Sequence, residues 1–295
     1  MYMISTQYGL VITKCVNIIM INVQDEYRGL LSGILHGGAQ KEDRTKTGTQ
    51  SVFGRMLRHD MELGFPLLTT KKIYFKHAVT ELLWILQGRT DVAYLRDHGV
   101  TYWDPDYKRS GRTDGTLGPV YGKQLRDFNG VDQLEKILKQ IKQEPSSRRI
   151  VASLWNPNDM DDMALPPCHY GFQIYINDGK LNLLWNQRSA DVFLGLPYDF
   201  AMYGLLLLML AKGAGYRPGR LTASLGDCHL YNNHIDQATE QLSRDFRELP
   251  SVGIDFGLSI EEGAGNFIRI PTHKMIHLVN YKPHEAIKAQ LNVGV

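Results

Sequence analysis

An α+β fold is the expectation from this sequence, with a mixed or antiparallel sheet packed by helices. Strand-like and helix-like stretches follow one another in mixed order, not as regular βαβ units. Two strand-like stretches are joined by Asn177-Asp178-Gly179, and an Asp-Gly step between strands signals a hairpin, hence antiparallel pairing. No repeat, low-complexity tract or Pro/Ser-rich linker divides the 295 residues, and one domain of that length is common.

Residues 24–37 place Tyr27, Leu30, Leu31 and Ile34 at helical spacing, and Gly37-Gly38 ends that stretch. Residues 51–61 alternate as a strand does. Residues 75–87 (FKHAVTELLWILQ) make a strongly apolar helix stopped by Gly88, and 131–143 a surface helix with Leu134, Ile137, Leu138 and Ile141 on one face. Strands are expected over 149–155, 171–176 and 181–187. Asp199 precedes an apolar helix over 200–211, where it can serve as N-cap, and residues 234–243 look helical.

A hydrophobic fraction of 43% and a charged fraction of 22% allow an ordinary core without disulfides or metals. The net charge, 33 − 31 = +2, is too balanced for a nucleic-acid-binding surface, so any cationic site must be local. Three cysteines, Cys15, Cys168 and Cys228, are an odd number without framework spacing and point to a reducing compartment. The most apolar run, residues 205–211, is too short to span a membrane, and the N-terminus has Lys14 mid-stretch and no cleavage pattern. A cytoplasmic protein is expected.

Pro166-Pro167-Cys168-His169 is the first candidate for chemistry. Two prolines fix the backbone before the thiol, and a thiolate is a nucleophile whose pKa nearby cations lower. Taken alone, Cys168 reads first as a buried inert cysteine and second as a nucleophile. A Cys-His pair recurs at Cys228-His229, but isolated pairs lack zinc-site spacing, and no metal is expected. Ser147-Arg148-Arg149 and Arg188-Ser189 offer guanidinium forks and hydroxyls to a phosphate, with surface ion pairs as the plain alternative. Glu81 falls within the apolar helix, where burial raises a carboxyl toward acid–base values or a salt bridge holds it.

These features recur in one order. Asp43-Arg44-Thr45-Lys46-Thr47-Gly48-Thr49, Phe65-Pro66-Leu67-Leu68-Thr69-Thr70-Lys71-Lys72, Glu81-Leu82-Leu83-Trp84 and Trp103-Asp104 come first. Gly118-Pro119-Val120-Tyr121-Gly122-Lys123-Gln124, Ser147-Arg148-Arg149-Ile150 and Leu165-Pro166-Pro167-Cys168-His169 follow. Gln187-Arg188-Ser189-Ala190-Asp191, Phe193-Leu194-Gly195-Leu196-Pro197 and Gly226-Asp227-Cys228-His229-Leu230-Tyr231 complete the set. Across these motifs, from about residue 22 to the C-terminus, the chain resembles the thymidylate synthase family.

The resemblance implies a catalytic domain over 22–295 behind an N-terminal extension over 1–21, a two-fold homodimer, and 5,10-methylenetetrahydrofolate as co-substrate. By the same resemblance Cys168 is the nucleophile for pyrimidine C6, and Glu81 the carboxylate that organises water and moves protons. Arg44, Arg188 and Ser189 match phosphate ligands, while Arg148 and Arg149 match the pair that crosses the dimer to the partner's phosphate. His229 and Tyr231 match contacts to the sugar 3′-hydroxyl. Trp103, Asp191, Lys71 and Gly195 match the folate side, and Tyr121 and His169 match polar supports near the thiol.

Asp199 is the informative departure, because the family carries asparagine there. A carboxylate only accepts hydrogen bonds, which suits the N4 amino group of cytosine and opposes O4 of uracil. Deoxycytidylate hydroxymethylases share the fold and resemble this chain at Asp199 and at Asn186. Asp106 stands where many members have a second tryptophan, and the tail over 288–295 loses a proline and gains polar groups. The expectation is a deoxycytidylate (dCMP) 5-hydroxymethylase. A dCMP methylase, a thymidylate synthase, a CMP hydroxymethylase and a non-catalytic nucleotide-binding protein are the alternatives.

Overall fold

A computed structural model describes residues 20–261 and 267–292, so most of the expected extension and the last three tail residues, 293–295, lie outside the described residues. Six strands form the main sheet: β1 (Ala39–Lys41), β2 (Thr49–Asp60), β3 (Val151–Ser153), β4 (His169–Asn177), β5 (Lys180–Asp191) and β6 (Arg217–Tyr231). Their spatial order is β1-β2-β6-β5-β4-β3, antiparallel throughout except for the parallel pair β5/β6. The Asp-Gly hairpin joins β4 to β5, and Asp178 takes the positive φ of 50° that such a turn needs. Two small sheets pair β7 (Ser251–Ile254) with β10 (Ile276–Val279), and β8 (Ser259–Glu261) with β9 (Phe267–Arg269).

A parallel pair needs a crossover, here made through α7 (Leu196–Ala214), which is apolar nearly all round and buried accordingly. With α2 (Phe75–Leu86) it covers one sheet face, and Trp185 meets Phe200 edge-on at 4.9 Å and stacks on Tyr203 at 4.9 Å. Around this core lie α1 (Val23–Gly37), α3 (Val92–Asp97), α4 (Asp104–Arg109), α5 (Tyr121–Arg126), α6 (Gln133–Gln143) and α8 (Ile235–Leu242). Asn22 caps α1 at 2.9 Å and Asp132 caps α6 at 3.0 Å, each accepting from a backbone N–H of the first turn.

Both α7 and β6 depart from expectation. The helix expected over 200–211 begins at Leu196, with Gly195 as N-cap and Pro197 in its first turn. Asp199 is therefore inside the helix, its N–H bonded to the Gly195 carbonyl at 3.1 Å, and does not cap it. The longest strand, β6, has no counterpart among the expected strands. Pro218, Gly219 and Gly226 interrupt its apolar alternation and mask the period.

Residues two apart on a strand share a face. Ser189 and Asp191 on β5 therefore face the same way, as do Asp227, His229 and Tyr231 on β6. Pairing of Ser189 with Asp227 and of Asp191 with His229 brings the two sets together at the carboxyl ends of the parallel strands.

Candidate active site

Cys168 ends the loop that enters β4. Arg188 fixes that loop, donating from Nε to the Pro167 carbonyl at 2.9 Å and from Nη2 to the Pro166 carbonyl at 3.0 Å. Its own N–H donates to the Cys168 carbonyl at 2.9 Å, and the Cys168 N–H donates to the Tyr121 hydroxyl at 2.9 Å. Burial pushes the thiol up to about 11, Arg188 and Arg44 pull against it, and Asp199 and Asp106 add to the rise. The resting thiol is protonated at neutral pH, so its proton leaves as the sulfur–carbon bond forms.

His169 is no base for that proton. Its ring is buried, stacks on Tyr121 at 4.4 Å and meets the Tyr203 hydroxyl through Nδ1 at 2.9 Å. Burial pushes it down to about 3, so it stays neutral.

Two half-buried carboxyls, Glu81 and Asp199, lie in the same electrostatic neighbourhood as the thiol and Tyr121. Glu81 accepts from the Tyr102 hydroxyl at 2.5 Å and from Trp103 Nε1 at 2.8 Å. Burial nevertheless raises its pKa, the two hydrogen bonds opposing. Asp199 accepts from Gln187 Nε2 at 2.9 Å. Gln187 cannot flip freely, because its Oε1 accepts from Trp185 Nε1 at 3.0 Å. Burial lifts Asp199 from 3.8 to about 7, with Gln187 opposing and Glu81 and Asp191 adding to the rise.

On the cationic side, Arg44 stands exposed on a turn that Asp43 closes by accepting from the N–H groups of Thr45 (2.6 Å) and Gly48 (2.7 Å). His229 Nδ1 lies 3.3 Å from Asp227, whose other oxygen meets Lys41 Nζ at 2.7 Å. Tyr231 packs edge-on to His229 at 5.2 Å. Arg148 and Arg149 are exposed just before β3.

This constellation has a family. A profile described as thymidylate synthase matches residues 25–293. The chain belongs to the thymidylate synthase family. It is accordingly a one-carbon transferase, with methylenetetrahydrofolate as co-substrate and a nucleotide as acceptor.

In this thymidylate synthase-family chain the residues expected on the folate side lie at the start of α4 and around the turn into α7. Trp103 is the N-cap of α4, and Asp191 caps the turn into α7 by accepting from Phe193 (3.0 Å) and Leu194 (2.9 Å). Gly195 closes that turn with its N–H on the Asp191 carbonyl, 3.1 Å away. Lys71 lies below the surface: its ammonium donates to the Phe193 carbonyl and sits 3.4 Å from the Phe193 ring centroid. Burial pushes it down to about 7. The tail is docked alongside, with His234 Nε2 2.7 Å from the Gln290 carbonyl and a reciprocal amide pair between Asn233 and Asn292. Among the described residues no group of three or more His, Cys, Asp or Glu could hold a metal, and no helix is long and apolar enough to cross a membrane.

Sequence reasoning missed the residues that orient the predicted ones: Tyr102 on Glu81, Gln187 on Asp199, Tyr203 on His169 and Asp227 on His229. Gln187 carried a signal, being a polar residue in step with Leu181, Leu183 and Trp185, which are buried.

Proposed function

We propose that the enzyme converts dCMP and 5,10-methylenetetrahydrofolate into 5-hydroxymethyl-dCMP and tetrahydrofolate, acting as a homodimer. The observation that carries the choice of base is Asp199, a half-buried carboxyl that desolvation lifts toward neutrality and Gln187 orients. A two-point fork between a carboxyl and a pyrimidine edge requires one shared proton, whether the base is cytosine or uracil. N3 of cytosine is a far stronger base than O4 of uracil, so only cytosine keeps that proton once the carboxyl ionises. A mismatched buried polar pair costs about 1–3 kcal/mol, enough to set the preference.

In this reading the phosphate is held by Arg44, Arg188 and Ser189 with Arg148 and Arg149 of the partner subunit, and the 3′-hydroxyl by His229 and Tyr231. Cys168 adds to C6, and C5 then attacks the one-carbon unit. Glu81 moves protons, Tyr121 and His169 hold the surroundings neutral, and Trp103, Asp191, Lys71 and Gly195 stand on the folate side. Loss of the C5 proton and of tetrahydrofolate leaves an exocyclic methylene on C5. Water on that carbon gives hydroxymethyl; hydride gives methyl and dihydrofolate. The polar Asp106 and the polar tail residues Gln290 and Asn292 favour water.

The test is mass analysis of products from dCMP and dUMP supplied separately. A hydroxymethyl product from dCMP is expected, whereas turnover of dUMP alone sinks the choice of base. Asp199→Asn should move the preference toward dUMP by roughly tenfold or more.

A further inference from the structure

Besides Glu81 and Asp199, a third carboxyl borders the thiol pocket. Asp106 lies three residues beyond Trp103, one helical turn along α4, so the two share a face. Trp103 uses that face to reach Glu81, and Asp106 lies within electrostatic reach of Cys168 and Arg44. Its Oδ1 pairs with Arg109 Nη2 at 2.6 Å, and that nitrogen also donates to the Ala164 carbonyl at 3.3 Å, in the stretch leading to Cys168. Thus α4 bridges the Glu81 carboxyl and the thiol loop. Unlike Glu81 and Asp199, Asp106 has a cationic partner to keep it ionised, although burial pushes its pKa up. It is the most buried of the three, with 9% exposure.

We propose that Asp106 is the base that positions and deprotonates the water adding to the exocyclic methylene, an inference that rests on the hydroxymethyl reading above. The water oxygen bonds to the methylene carbon, and the exocyclic π pair shifts onto C5 and into the ring. The water proton goes to the Asp106 carboxylate and then to solvent. The ring electrons return to form the C5–C6 double bond as the C6–S bond breaks, which frees the Cys168 thiolate. No oxidant or reductant is consumed.

The experiment compares wild type, Asp106→Asn, Asp106→Glu and Arg109→Gln on dCMP tritiated at C5 with methylenetetrahydrofolate. Tritium release reports every step through loss of the C5 proton, and mass analysis reports the hydroxymethyl product. Asp106→Asn is expected to release tritium near the wild-type rate while its ratio of product to tritium falls about 100-fold, the scale of general-base catalysis. Asp106→Glu should recover most of that ratio. Arg109→Gln, which keeps the carboxyl but removes the cation that holds it ionised, should lower the ratio near neutral pH and regain it as pH rises.

Equal falls of tritium release and product in Asp106→Asn would make Asp106 structural and overturn the proposal. So would an Arg109→Gln ratio that stays as low as that of Asp106→Asn when pH is raised. A wild-type enzyme yielding only methyl product overturns the hydroxymethyl reading itself, whereas hydroxymethylation unaffected in Asp106→Asn overturns this inference alone.

Discussion

Burial lifts Asp199 to about 7, and that gives the proposed base choice a pH signature. Below about pH 7 the neutral carboxyl can donate to O4 of uracil as well as to N3 of cytosine. Above it, only cytosine retains the shared proton. The ratio of kcat/KM for dCMP over dUMP is therefore expected to climb between about pH 6 and 8, by at most about tenfold per unit. A flat ratio would remove Asp199 from base reading, and Asp199→Asn should show that flat ratio. Stability without nucleotide runs the opposite way with pH. The folded pKa stands above the unfolded 3.8, so the neutral carboxyl favours the fold. That contribution is complete below about pH 4 and is lost as pH rises through about 7, amounting to at most about 4 kcal/mol. Melting of wild type at about pH 5 and 8 should accordingly differ more than that of Asp199→Asn.

Among the elements, α7 has the least tolerance. Near its C-terminus Gly213 packs directly on the chain of Leu258, whose carbonyl oxygen would lie 1.8 Å from an added Cβ. Gly213→Ala is expected to destabilise the fold by about 3 kcal/mol, read as a lower denaturant midpoint, because backbone cannot give way as a side-chain tip can. Legibility in the sequence also differs from element to element. The 3.6-residue period made α2 and α6 readable to within two residues at either end. Neither β6, with its glycines and proline, nor the six-residue helices α3, α4 and α5 show enough period to be read. Motif order was enough to single out Cys168, Glu81, Asp199 and the arginines as candidates. Gln187, Tyr102 and Asp227 were not singled out, because their importance lies in which neighbour they touch, and that is decided only when β5, β6 and α4 are placed.

At the scale of the molecule, the sheet face turned away from α2 and α7 leaves apolar residues uncovered by any of the described residues. Met56 pairs with Ser224, Ser224 with Asn186, Asn186 with Gly171 and Gly171 with Ser153. Paired residues share a face, and two-residue steps carry it on to Val151 and Tyr175. Tyr175 is 62% exposed, Met56 54% and Val151 48%. An apolar patch of this kind marks a contact surface, and Arg148 and Arg149 leave its rim with their side chains in the open. The proposed homodimer makes use of both features. Sedimentation should give 2 × 33.5 = 67 kDa, and Tyr175→Glu should yield monomers without activity. Mixing two inactive variants is the sharper measurement. In a heterodimer of Cys168→Ala with Arg148→Ala/Arg149→Ala, one site has its thiol and receives arginines from its neighbour. Random re-association makes half the dimers hybrid, each with one working site of two, so activity should return to about one quarter of wild type. If each subunit used its own Arg148 and Arg149, no mixture would recover activity, so the mixing experiment separates arginines given across the interface from arginines kept at home.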